Sequence, residues 1–95
     1  MPYLPEIIAS DWWVYMVLTA SGKLYTGIST DIDRRFQEHC DTSQGKGNKG
    51  AKFFRSDQPK TVVYREACSD RSSASRREAA IKKIDSRQKR QLIQT

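Results

Sequence analysis

The run from Trp12 to Leu18 is almost entirely apolar, the pattern of a strand buried on both faces. Thr19-Ala20-Ser21-Gly22-Lys23 follows and reads as a hairpin turn, with Gly22 free to take a positive φ. Leu24 to Ile28 then reads as the partner strand, with Leu24, Thr26 and Ile28 on one face and Tyr25 and Gly27 on the other. Thr30-Asp31 offers an N-cap for a helix running to about Cys40, in which Ile32, Phe36 and Cys40 form the inward stripe. Residues 41–50 are rich in Gly, Ser and Lys and predict a mobile loop. A short helical turn is expected over Ala51 to Arg55, and a third strand over Lys60 to Ala67. Ser69 or Asp70 can cap a helix to about Ile84, and Ser86 a last helix ending near Ile93. The expected order is β-β-α-β-α-α. This is an α+β fold, a small three-stranded antiparallel sheet flanked by helices. Pro2 and Pro5 break regular structure, so residues 1–11 read as a loose lead-in to a domain over residues 12–95.

Composition narrows the class. With 95 residues, 37% of them hydrophobic, the chain holds one domain with a small core. Trp12 to Leu18 is too short to span a bilayer, so no membrane association is expected. Residues 1–10 lack a basic stretch leading into a long apolar one, so no signal peptide is expected. Cys40 and Cys68 form no CxxC pair and read as reduced thiols of a cytoplasmic protein. The net charge of +6 is uneven, with −3 over residues 1–44 and +9 over residues 45–95. The basic half suits either a polyanion partner or an ordinary solvated surface.

Five residues carry candidate chemistry. Tyr15 and Tyr25 sit on paired strands, which brings them within reach on a shared face. Arg35 and His39 lie four apart on the first helix and share a side of it. A guanidinium can fork onto phosphate oxygens, and an imidazole can move a proton near neutral pH. Glu78 shares a helical stripe with Ala74 and Ile81, an inward place for a carboxylate. It needs a cation there, either a nearby arginine such as Arg35 or a magnesium ion. Lys46, Lys49, Lys52 and Arg55 recur every three residues across and beyond the glycine-rich loop. Gly45 and Gly50 have the spacing of a nucleotide-triphosphate loop, but Ala51 stands where that motif needs lysine.

Together these residues resemble the GIY-YIG nuclease superfamily, over about residues 12–93. Tyr15, in Val14-Tyr15-Met16, stands in the place of the first motif's tyrosine, and Tyr25-Thr26-Gly27 in the place of the second motif. Tyr15, Tyr25 and Arg35 follow one another at ten-residue steps, His39 comes four later, and Glu78 lies in Ser75-Arg76-Arg77-Glu78-Ala79. The chain looks most like the small, stand-alone bacterial branch. Arg90 departs from the pattern, since many relatives carry an asparagine there. The resemblance implies a metal-dependent endonuclease acting on nucleic acid, DNA rather than RNA, structure-selective or nonspecific, with a role in DNA repair or processing. By the same resemblance Glu78 would bind one Mg²⁺ or Mn²⁺ and Arg35 would stabilise the scissile phosphate. Tyr15 would act as base with His39 relaying its proton, Tyr25 would position phosphate, and Gly27 would leave room for substrate. Lys46, Lys49, Lys52 and Arg55 would contact the backbone of the nucleic acid. A non-catalytic nucleic-acid-binding module on the same fold is the alternative. A protein-interaction domain using Trp12, Trp13 and the lysine surface is a third.

Overall fold

A computed structural model describes residues 11–94, so the expected lead-in lies outside the described residues except for Asp11. The order is β1 (Trp12–Thr19), β2 (Leu24–Ser29), α1 (Ile32–Ser43), a single 3-10 turn (Lys52–Arg55), β3 (Pro59–Cys68), α2 (Arg71–Lys83) and α3 (Ser86–Gln94). The sheet is antiparallel in the order β2-β1-β3, which makes it the α+β arrangement that the hydrophobic pattern predicts. Gly22 closes the hairpin at φ 90°, and its N–H donates to the Thr19 carbonyl at 3.0 Å. That conformation carries no penalty only without a Cβ.

β1 is the central strand, and its alternation divides the interior into two cores. Val14 and Met16 point to one face and pack with Ala74 and Ile81 of α2, with Ile28, Tyr64 and Leu92 around them. Tyr15 and Val17 point to the other face and pack with Ile32 and Phe54, with Tyr25, Phe36 and Val62 around them. Strand alternation thus puts α2 and α3 on one side of the sheet and α1 on the other.

The helix ends follow local chemistry. The Asp31 side chain accepts from the Arg34 N–H at 3.0 Å and starts α1. The Asp70 side chain accepts from the Ser73 N–H at 2.8 Å and starts α2. α3 departs from expectation by one residue. Its cap is Asp85, whose carboxylate takes the Gln88 N–H at 2.8 Å while the Gln88 side chain takes the Asp85 N–H at 3.1 Å. This reciprocal pair satisfies two backbone donors at the helix start, where a Ser86 side chain alone would satisfy one.

α1 also departs from expectation. It runs to Ser43 and buries Ile32, His39 and Thr42, while Phe36 and Cys40 are only half-buried. Two polar residues can face inward because the segment after the helix folds back and supplies backbone partners. That segment, expected to be a mobile loop, is tied to α1 in several places, among them Lys46 N–H to the Asp41 carbonyl at 2.8 Å and Gly50 N–H to Thr42 Oγ1 at 2.9 Å.

Ile81 is 1% exposed and anchors α2 over β1, three residues beyond Glu78. Ile81→Ala should therefore cost about 2–5 kcal/mol in urea unfolding, and Ile81→Val about 1 kcal/mol. A loss below about 1 kcal/mol for the alanine variant would mean that α2 is not seated as described.

Candidate active site

Tyr15 lies opposite Gly27 in the β1–β2 register, and Tyr25 opposite Val17. Both tyrosines therefore face the α1 side of the sheet, with ring centroids 6.4 Å apart. A Cβ on Gly27 would stand 2.7 Å from Tyr15 Oη. The space that this glycine leaves open is filled first by the Tyr15 phenol, a contact that the expected substrate clearance did not include.

His39 completes the cluster from α1. Its Nε2 is 2.8 Å from Tyr15 Oη, its ring is 5.3 Å from that of Tyr25, and no part of it reaches solvent. Phe54, also fully buried, stacks near His39 at 4.4 Å and meets Tyr25 edge-on at 4.8 Å. The other imidazole nitrogen, Nδ1, accepts the Ala51 backbone N–H at 3.2 Å. A backbone N–H can only donate, so Nδ1 carries no proton and the neutral ring bears its proton on Nε2. His39 is thus the donor and Tyr15 Oη the acceptor. This direction is opposite to the proton relay expected from the sequence, because Nε2 has no lone pair to receive the phenol's proton.

Arg35 lies one turn before His39. Its Nη1 donates to the Lys49 carbonyl at 2.6 Å and to Glu38 Oε1 at 2.9 Å. Its guanidinium is close enough to both tyrosines for its positive charge to favour their phenolates. Burial acts more strongly, and the Tyr15 phenol is pushed far above its ordinary value. Tyr25 is raised as well, again mainly by burial.

Glu78 comes from α2, which touches both β1 and β2. Its negative charge reaches both phenols and raises them. The structure therefore brings Tyr15, Tyr25, Arg35, His39 and Glu78 into one electrostatic neighbourhood. The cation beside Glu78 is Lys82, at 3.0 Å one helical turn on, and the Glu78 side chain keeps 23% exposure. Arg35 pairs with Glu38 instead, so the Arg35–Glu78 ion pair open from the sequence is not the one formed. Among the described residues no three His, Cys, Asp or Glu side chains gather into a metal cage. One partly exposed carboxylate suits Mg²⁺ or Mn²⁺, which keep waters and take substrate oxygens, better than an ion needing several protein ligands.

The side chains of Lys46, Lys49, Lys52 and Arg55 form no ion pair among the described residues. Arg90 donates to the Gly22 carbonyl at 3.1 Å and pins α3 to the β1–β2 turn. Thr42, Gly50, Ala51 and Phe54 hold the cluster together and were not singled out by sequence for that part. Only the closeness of glycine and alanine to the basic run hinted at it.

Burial, then the positive charge of Arg35, lowers the His39 imidazole from its ordinary value of 6.5 to about 4. The folded chain therefore binds this proton more weakly than the unfolded chain does. Stability from a neutral His39 is complete above pH 6.5 and drains away as pH falls toward 4, by up to about 3 kcal/mol. The chain has a single histidine, so its ring NMR signals should stay unshifted from about pH 8 to about pH 5.5. A titration midpoint near 6.5 would contradict the buried, doubly bonded ring.

Comparison with known proteins agrees with this geometry. Residues 11–91 match the family model described as the GIY-YIG catalytic domain. A UPF0213 protein of Desulfotalea psychrophila is 48% identical over 89 residues, covering 94% of this chain and 76% of the relative. The UPF0213 protein YhbQ of Escherichia coli K12 is 42% identical over 84 residues, covering 88% and 78%. The solution NMR structure of a UPF0213 protein from Bacillus halodurans superposes with a TM-score of 0.53 at 32% identity, over 87% of this chain and 82% of that one. With the family model matched over residues 11–91 and relatives up to 48% identical over most of its length, the chain belongs to the GIY-YIG nuclease superfamily, in its small UPF0213 branch.

Proposed function

We propose that this protein is a metal-dependent endonuclease that hydrolyses phosphodiester bonds in nucleic acid, DNA rather than RNA. The observation that carries the reading is a buried tyrosine–histidine pair beside a second tyrosine and a tethered arginine, with the charge of the Glu78 carboxylate reaching both phenols. Among the described residues no helix or ribbon stands apart from the domain for reading bases, which favours structure-selective or nonspecific cutting and a part in DNA processing.

The roles follow from the contacts. Arg35 is fixed through Nη1 by the Lys49 carbonyl and Glu38, and its remaining N–H groups can meet the scissile phosphate as charge builds there. Tyr15, once its phenol proton has passed to solvent, orients and deprotonates the attacking water as the phenolate. His39 favours the Tyr15 phenolate by donating Nε2–H to its oxygen, and Arg35 favours it by charge. Tyr25, less enclosed, positions a phosphate oxygen. Glu78 would hold Mg²⁺ or Mn²⁺, which when bound polarises the phosphate and acidifies its water. Lys46, Lys49, Lys52 and Arg55 meet flanking phosphates without regard to sequence.

The test is cleavage of nicked, branched and single-stranded DNA with Mg²⁺, with Mn²⁺ and with chelator. The wild type should cut only with metal. Glu78→Gln keeps the shape and loses the charge that holds the ion, so cutting should fall about a hundredfold or more. The variant's melting curve without metal should hardly move, because the lost Lys82 pair is partly exposed and such helix pairs contribute about 0.5 kcal/mol or less. Nucleic-acid binding with no metal-dependent cutting by the wild type would leave the binding-module reading in its place.

A further inference from the structure

The face of α1 that looks toward the site carries Arg35, His39 and Thr42, spaced four and three. One short stretch of backbone, residues 49–51, answers all three. The Lys49 carbonyl accepts from Arg35 Nη1 at 2.6 Å, the Gly50 N–H donates to Thr42 Oγ1 at 2.9 Å, and the Ala51 N–H donates to His39 Nδ1 at 3.2 Å. The central contact is tight. A Cβ on Gly50 would stand 2.5 Å from Thr42 Oγ1 and 2.6 Å from the Glu38 carbonyl, so only glycine lets the stretch lie this close. Ala51, at φ −63° and ψ 144°, is extended, which aims its N–H at the imidazole.

We infer that Thr42 is a positioning residue for the site. Its hydroxyl docks Gly50 against α1, and the docked backbone then fixes two groups that lie to either side. It holds His39 in the tautomer that donates to Tyr15, and it holds Arg35 through the Lys49 carbonyl. Without the Gly50–Thr42 contact, the Ala51 N–H is no longer held against Nδ1. The imidazole can then carry its proton on either nitrogen, and in the second tautomer Nε2 accepts from the Tyr15 hydroxyl instead of donating to it. That reverses the polarity of the bond at the phenol. Lys49 thus serves through its carbonyl whatever its ammonium group does with substrate. The catalytic part of this inference rests on the nuclease reading; the tautomer part does not.

The test compares Thr42→Val, which keeps the branched shape and removes the acceptor, with Thr42→Ser, which keeps the acceptor. The single histidine makes the imidazole ¹⁵N spectrum direct to read. Wild type and Thr42→Ser should show a protonated Nε2 and a bare Nδ1 at neutral pH. Thr42→Val should show a mixture of tautomers, and its kcat should fall about ten- to a hundredfold with KM little changed. A wild-type ring protonated on Nδ1 would overturn the inference, with or without any variant, and so would a Thr42→Val ring that stays purely Nε2-protonated. A Thr42→Ser variant as impaired as Thr42→Val would overturn it too, since packing rather than the hydroxyl would then be what matters. If Thr42→Val does not fold, the wild-type spectrum and the serine variant decide. Wild-type protein with the expected tautomer but no cleavage would leave the tautomer part standing and remove the nuclease reading, and the catalytic part with it.

Discussion

The hydrogen bond from His39 Nε2–H to Tyr15 Oη joins residues 24 apart in the chain, and most of the site is arranged around it. It ties α1 to the central strand in a place without solvent. In such a place an unpartnered imidazole or phenol would cost free energy, so each must find a partner. Tyr15 finds His39, and His39 finds Ala51 on its other side. Gly27 is then required because the phenol occupies the space above it, and Gly50 because the backbone leading to Ala51 must touch α1. A chain of local necessities thus converts one buried polar pair into constraints on both glycines.

The sheet gives this pair its surroundings. β1 is covered on both sides, with aliphatic packing against α2 on one face and aromatic packing against α1 and the 3-10 turn on the other. The first core serves to seat α2 so that Glu78 reaches the tyrosines from the opposite layer. The second keeps Tyr15 and His39 dry while Tyr25 and Arg35 remain partly open. The site is therefore graded, from an enclosed hydrogen-bonded pair to a partly exposed ion pair, Glu78 and Lys82, at its margin. Such a gradient suits an anionic substrate that must approach from solvent and meet a group shielded from it.

Much of this was legible in the sequence because it is local. Alternation placed Tyr25 and Gly27 on one face and Leu24, Thr26 and Ile28 on the other, and the register confirms it. Asp31 and Asp70 announced helix starts, and Gly22 the turn. The stripe of Ala74, Glu78 and Ile81 buries its two apolar members, while Glu78 stays partly exposed and pairs with Lys82. What was not legible depends on contacts distant in sequence or on the backbone. Periodicity of apolar residues chose Phe36 and Cys40 for the buried face of α1, whereas burial went to His39 and Thr42 because Gly50 and Ala51 supply N–H groups there. Hydropathy cannot register a polar residue whose partner is main chain. The direction of the tyrosine–histidine bond was equally hidden, since it is decided by the second nitrogen.

Tyr15→Phe isolates the account's central claim, because it removes one oxygen atom and keeps the ring that fills the space over Gly27. Single-turnover cleavage of DNA with Mn²⁺, beside a binding titration and a melting curve, reads its effect. The account predicts a rate loss of about 10²–10⁴-fold, with nucleic-acid affinity and folding close to wild type. Cleavage near the wild-type rate, or a loss that lies entirely in affinity, would contradict it.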